Sequence, residues 1–276
     1  MMDLYRITPG DGVVWITGAS AGIGRELALQ MATRGYKVVA SARGQEKLQS
    51  LVALGGGNIH AMAGDVTDSA GMQKIVDDIE AEHGPIRLAI FNAGNYWPTR
   101  GEAMDLGAYR KNYEVNVFGV LNGLVPVVEK MKQHGKGQIA LVGSVSGYTG
   151  LPAASAYGAC KAAINNMAES LKFDFDKMNI RMQVLNPGFI DTPLTEKNDF
   201  EMPYLMPVDK AVDRMIMGME NGPFEISFPR RFTWQLKILR LLPHAWYFWI
   251  MKRATGWGKR PLDFGETQEA MATRVE

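Results

Sequence analysis

Short β-branched runs alternate with longer stretches of helical periodicity, and this alternation constrains the fold of the chain more than any other feature. Val13-Val14-Trp15-Ile16 reads as a buried strand, followed by a Gly-rich turn and a helix from about Gly24 to Arg34. Gly35 ends that helix, and Lys37-Val38-Val39-Ala40 is the next strand. A helix over Gln45 to Leu54 leads to the strand Ile59-His60-Ala61-Met62, and a helix near Ala70 to Glu82 leads to Leu88-Ala89-Ile90-Phe91. A long helix from about Leu106 to Lys132 then precedes strand Gln138 to Val142, and a helix from Ala154 to Lys177 precedes strand Arg181 to Leu185. Strand–helix repetition with short connections argues for a parallel sheet covered on both faces by the helices. The expected class is α/β: one domain built on a doubly wound parallel sheet. Ligands of such sheets bind beyond the carboxyl ends of the strands.

After Asn186 the pattern loosens. Residues 187–222 are rich in Pro and Met and read as a loop with short helices, and Glu225-Ile226-Ser227-Phe228 reads as one more strand. The expected division is a dinucleotide-type core over residues 1–230 and a helical extension with a tail over 231–276, the stretch from Pro261 to Glu276 being loose. No internal repeat or low-complexity tract interrupts the chain.

Apolar residues make up 46% of the 276, ample for a continuous core, and a formal net charge of +1 provides no global field for nucleic acid. The single cysteine, Cys160, forms no disulfide within the chain, which fits a reducing compartment. Met1 to Arg6 lacks the basic start and apolar run of a signal peptide, and no stretch reaches the roughly 20 apolar residues of a membrane span. The expected location is the cytoplasm. His60, His83, His134 and His244 are scattered and suggest no metal-ligand set.

The turn after the first strand is Thr17-Gly18-Ala19-Ser20-Ala21-Gly22-Ile23-Gly24. Its glycines let the backbone turn tightly and approach a pyrophosphate, while the next helix offers unpaired N–H groups and a favourable dipole. A glycine loop alone is weak evidence, but this one lies between a strand and a helix. The second strand ends Ala40-Ser41-Ala42-Arg43. An acid usually stands there when the cofactor is NAD, because it binds the ribose 2′-hydroxyl. Here Ala42 occupies about that place and Arg43 follows; a guanidinium attracts a 2′-phosphate. This predicts NADP(H) as the preferred cofactor over NAD(H), with Ser41 adding a hydrogen bond and Arg25 assisting.

Tyr157 and Lys161 lie at i and i+4 of a helix, on one side and one turn apart. A nearby cation stabilises phenolate and lowers a tyrosine pKa, which suits proton exchange with an alkoxide. Ser144 ends a strand 13 residues earlier, where its hydroxyl would bond a substrate oxygen. Asn116 interrupts the apolar face of the long helix, and its buried amide must bend the helix or join a water network.

Taken together, Thr17-Gly18-x3-Gly22-x-Gly24, Asp65-Val66, Asn92-Ala93-Gly94, Asn116, Ser144, Tyr157-x3-Lys161 and Pro187-Gly188-x3-Thr192 make the chain resemble the short-chain dehydrogenase/reductase family over roughly residues 8–230. The resemblance implies a Rossmann-type fold and hydride transfer between nicotinamide and a carbonyl or secondary alcohol. It implies Tyr157 as general acid/base, Lys161 on the nicotinamide ribose, Ser144 on the carbonyl and Asn116 on a relay water. The loop residues Gly18, Ser20, Ala21, Gly22, Ile23 and Gly24 would hold the cofactor. Asp65 and Val66 would flank its adenine, Asn92, Ala93 and Gly94 would line its floor, and Pro187, Gly188, Ile190 and Thr192 would meet its nicotinamide side. The resemblance also implies a homodimer or homotetramer paired through the helices around 106–132 and 154–177.

The substrate pocket is expected among Asn95-Tyr96-Trp97, Tyr148 and residues 193–219, whose Met202, Met206, Met215, Met217 and Met219 suit either an apolar or lipid-like molecule or ordinary helix packing. Residues 225–260 hold eight Lys or Arg against one acid, with Trp234, Trp246, Trp249 and Trp257. Such a mixture fits peripheral membrane contact through 231–260, a cover for the pocket, or a subunit interface. An alternative class keeps the same fold without turnover: a dinucleotide sensor or scaffold, membrane-peripheral or not.

Overall fold

The computed structural model describes residues 4–196 and 201–262. Its centre is a seven-stranded sheet of β1 (Val13–Thr17), β2 (Lys37–Ala42), β3 (Ile59–Ala63), β4 (Ile86–Phe91), β5 (Gly137–Val142), β6 (Ile180–Pro187) and β7 (Glu225–Phe228). The order is β3-β2-β1-β4-β5-β6-β7, and every pair is parallel. Strands β1, β5 and β6 are buried at every position, as apolar runs covered on both faces must be.

Helices α1 (Gly22–Thr33), α2 (Gln45–Leu54) and α7 (Val208–Asn221) cover one face, where Leu27, Met31, Leu48 and Ile216 meet Val14, Ile16 and Val38. Helices α3 (Ser69–Glu82), α5 (Gly119–His134) and α6 (Ser155–Phe175) cover the other, where Ile79, Val127 and Ile164 meet Trp15, Phe91 and Leu141. Strand alternation sorts these sets, because successive side chains point to opposite faces. The strand order reverses between β1 and β4, which opens a crevice at their carboxyl ends.

Two sequence expectations need correction. The helix expected over 106–132 is broken: α4 (Leu106–Tyr113), capped by the Asp105 carboxylate, runs into a π-turn over Glu114–Phe118 before α5 begins. The 187–222 segment is no loop of short helices, since its second half is the 14-residue α7. Ala211, Val212, Met215, Ile216 and Met219 recur at helical spacing and pack into the core, so Met215 and Met219 do not face a substrate. Met206 is buried in the same cluster and Met217 is exposed.

The extension forms α8 (Arg230–Arg240), α9 (His244–Ala254) and a 3-10 turn over Trp257–Lys259. Phe232 and Leu236 of α8 pack on Val145 and Tyr148, tying the extension to the sheet domain. The stretch expected to be a loose tail lies, from 263 onward, outside the described residues. No helix among the described residues is long and apolar enough to cross a membrane.

Candidate active site

A cleft of about 540 Å³ opens at the carboxyl ends of β1 to β6. The glycine loop forms one wall. Gly18 has φ +70°, and a Cβ there would stand 2.7 Å from the Ala93 Cα; at Gly24 it would stand 2.4 Å from the Gly18 carbonyl oxygen. Only glycine allows this turn and this approach of helix to strand. Gly24 therefore supports the loop from within the helix, while Gly18, Ser20, Ala21, Gly22 and Ile23 face the cleft. Helix α1 has no side-chain cap at its start, so its first N–H groups are open to an anion.

Asn92 staples the loop to β4. Its Nδ2 donates to the carbonyls of Thr17 (3.1 Å) and Gly18 (3.2 Å), and the backbone N–H groups of Asn92 and Ala93 donate to the Thr17 hydroxyl. Ala93 and Gly94 continue the floor, and Pro187, Gly188, Ile190 and Thr192 close the opposite side. Asp65 and Val66 line the β3 end of the cleft, where the Asp65 carboxylate is held by the Thr67 N–H and hydroxyl.

Arg43 lines this same end, with its guanidinium 3.8 Å from Asp65 and largely exposed. Lys47, one turn into α2, lines it too. The sequence pattern does not single out Lys47; the available signal is its i+4 spacing from Arg43. Arg25 does not line the cleft. Ser41 requires correction: it is buried, and its hydroxyl accepts a hydrogen bond from Trp15 Nε1 at 2.9 Å. Ser41→Ala should leave that indole N–H unpaired, costing about 1–3 kcal/mol of stability with NADPH affinity unchanged. Denaturant melts and a nicotinamide titration check this; weaker NADPH binding at constant stability would restore the cofactor role.

Ser144 follows β5, and its Oγ accepts from the Ser146 N–H at 3.2 Å. Tyr157 and Lys161 lie in the first two turns of α6 and face the cleft with Ser144. No α6 residue caps this helix. Thr99, from the loop after β4, does so instead: its Oγ1 accepts from the Ala156 N–H at 2.9 Å. Lys161 is buried, donates to the Val142 carbonyl at 2.8 Å, and lies 5.6 Å from the Tyr157 ring centre.

The expected lowering of the tyrosine pKa is reversed. Burial pushes Tyr157 up to about 12, against a hydrogen bond from Ser144 that works to lower it. Burial also brings Lys161 down to about 8. Desolvation disfavours whichever form carries charge, and it is the largest effect on both groups. Cys160, between them, is fully buried and its thiol is pushed up to about 11, consistent with packing rather than nucleophilic attack.

Asn116 sits at the centre of the π-turn, fully buried and behind the cleft wall. Its Nδ2 donates to the Asn95 and Asn112 carbonyls, both at 2.9 Å, and its Oδ1 accepts from the Asn95 N–H at 3.1 Å. The amide thus bends the helix and holds the loop that carries Asn95 and Trp97 into the cleft. Tyr96 does not line the cleft. Its hydroxyl donates to the Ala153 carbonyl, and its ring packs edge-on against Tyr157 at 5.3 Å.

Tyr148 is also displaced from its expected place. A 3-10 turn over Val145–Gly147 carries it into a second hollow behind the cleft, bonded to Glu225. Glu225 in turn receives Lys237 and the Asn186 amide. Burial works to raise the Glu225 pKa, but the bonds from Lys237, Tyr148 and Asn186 hold it below the usual range.

A profile of the short chain dehydrogenase family matches residues 12–202. An uncharacterised oxidoreductase of Myxococcus xanthus is 33% identical over 232 residues, 83% of this chain and 92% of the relative. A short-chain dehydrogenase structure from Streptomyces avermitilis superposes with a TM-score of 0.76 at 23% identity, covering 91% of this chain and 97% of that one. A short chain dehydrogenase/reductase from Burkholderia phymatum in complex with NAD superposes with a TM-score of 0.76 at 20% identity, covering 84% and 94%. The parallel sheet, the glycine loop at its switch point and this match over most of the core place the chain in the short-chain dehydrogenase/reductase family of oxidoreductases acting on CH–OH groups.

Proposed function

We propose that this protein is an NADP(H)-dependent carbonyl reductase in which Tyr157 delivers the proton. One observation carries the reading: Ser144, Tyr157 and Lys161 converge on the cleft whose other end is the glycine loop. The loop fits a dinucleotide, because a Cβ at Gly18 or Gly24 would strike backbone and force open the tight turn that walls the cleft. When bound, nicotinamide supplies or accepts the hydride. The chain's own groups do the rest. Tyr157, protonated at neutral pH, donates to the developing alkoxide, and Ser144 bonds the same oxygen. Lys161, still charged at neutral pH, stabilises the phenolate left behind and would hold the nicotinamide ribose. Asn116 positions the Asn95 backbone and, with Lys161, would hold the relay water. A phenol that keeps its proton favours running the reaction towards reduction.

Arg43 and Lys47 support NADP(H) over NAD(H), since two cations at the end of β2 suit a 2′-phosphate and outweigh Asp65. Arg43→Ala should weaken NADPH binding about tenfold and leave NADH nearly unchanged. Nicotinamide fluorescence titration decides this, and equal loss for both cofactors would refute the assignment.

The substrate end is lined by Trp97, Val115, Pro193 and Leu194 and by no carboxylate among the described residues, which supports an apolar or lipid-like carbonyl. A screen of NADPH oxidation over ketones, aldehydes, steroids and acyl-chain carbonyls tests the activity. Firm NADPH binding with no carbonyl turned over would defeat it. Exposed Phe118, Val125 and Phe173 on the π-turn, α5 and α6 support pairing with a second copy as a homodimer or homotetramer.

A further inference from the structure

We propose that α8 and α9 dock the enzyme on an anionic lipid bilayer, through apolar stripes on their outer faces and the cations beside them. Helix α8 is apolar on two sides. Phe232 and Leu236 face the core, while Trp234, Ile238 and Leu241 recur at i, i+4 and i+7 on the opposite side. Helix α9 repeats the arrangement: Tyr247 is buried, whereas Trp246 and Trp249 stand outward. These five outward side chains are between 56% and 83% exposed. A monomer that meets only water has no use for a second apolar stripe opposite its packed one.

Charge identifies the occupant. Residues 226–262 contain eight Lys or Arg and no acid; with a formal net charge of +1 for the whole chain, the remainder carries −7. Arg253 stacks over Trp249 at 4.9 Å and Lys237 lies 5.8 Å from the Trp234 ring, so cations border the aromatic stripes. Tryptophan beside Lys and Arg suits the headgroup level of a bilayer, where one part of the surface meets acyl chain and the rest meets phosphate. A two-fold contact with a second copy would set this strongly net-positive segment against itself. A polynucleotide would leave Ile238 and Leu241 unused. Neither helix spans a membrane, so the contact is peripheral.

The surface also reaches the site. The Tyr247 hydroxyl donates to the Gly150 carbonyl, in the loop between Ser144 and Tyr157, and Lys237 grips Glu225 beside Tyr148. Docking would therefore hold the loop that joins Ser144 to Tyr157. The bilayer contact itself does not depend on the proposed reaction.

The test is co-sedimentation of the full chain with vesicles of phosphatidylcholine alone and of phosphatidylcholine with phosphatidylglycerol. Binding to the anionic vesicles should exceed that to neutral ones by about tenfold and fall as salt is raised. A Trp234→Ser, Trp246→Ser, Trp249→Ser variant should melt with the parent, keep its NADPH affinity and lose about tenfold in vesicle binding. A Lys252→Glu, Arg253→Glu variant should lose the preference for anionic vesicles. Absence of binding by the parent, or equal binding by the triple-serine variant, overturns the proposal. So does light scattering that shows the triple-serine variant dissociating an oligomer, or a parent that binds single-stranded DNA but no vesicle.

Discussion

Tyr157→Phe is expected to lower the rate of carbonyl reduction by about 10²–10⁴-fold while NADPH still binds. The ring keeps its edge contact with Tyr96, so packing around α6 changes little. What is lost is the proton that the hydroxyl, pushed up to about 12 by burial, holds at neutral pH. Lys161 sets the expected pH profile. Its ammonium, brought down to about 8, is charged below that pH and neutral above it. A charged Lys161 stabilises the phenolate formed on donation, so reduction should hold level below about pH 8 and decline above it. Tyr157 remains protonated across this range and does not cause the decline. Steady-state rates over pH with a saturating ketone check both parts. A phenylalanine variant with undiminished turnover, or a parent rate that rises through pH 8, would contradict the assignment.

Asn116→Ala is expected to cost about 3 kcal/mol, because it strips buried partners from the Asn95 N–H and carbonyl and from the Asn112 carbonyl. In a chain of this size that lowers Tm by about 5 °C. Asn122→Ala removes one bond, to the Val66 carbonyl, and should cost about 1 kcal/mol. The variants separate local helix propensity from the tie across the π-turn, since alanine favours both helices. Turnover should fall further than stability, because Asn95 and Trp97 line the cleft and a shift of about 1 Å there costs about 100-fold. Calorimetry and kinetics on the same preparations decide it; a melt of Asn116→Ala level with that of Asn122→Ala would defeat the account.

The sheet and most of the cleft were legible because their signals are short-range. Gly18, Gly22 and Gly24 announce a turn that no other residue makes, and Tyr157 and Lys161 share a helix face by spacing alone. What was not legible depends on where a side chain points or on a distant partner. Ser41 alternates with Ala40 and Ala42, and the parity that sends Val39 to the α3 and α5 side sends Ser41 to Trp15. Tyr148 lies four residues from Ser144, yet the intervening 3-10 turn places it behind the site. Nothing in the 3.6-residue period foretells the π-turn at Asn116, whose cause is the loop it ties down. Met215 and Met219 were readable as a core face from their spacing with Ala211 and Val212; composition drew attention to the segment, but periodicity decides its role.

The central place of β1 bears on how the molecule assembles. Val13 pairs with Lys37 on one side and with Ile86 on the other, and among the described residues β7 joins the sheet only through β6. No two neighbouring strands are linked by a hairpin, so every rung closes a loop of tens of residues before it is rewarded. During synthesis the glycine loop emerges early, but the floor beside it arrives only with β4, Ser144 only after β5, and the opposite side only after β6. The dinucleotide cleft is therefore a late product of folding, and a chain arrested before β5 would carry the phosphate cradle without the proton chemistry.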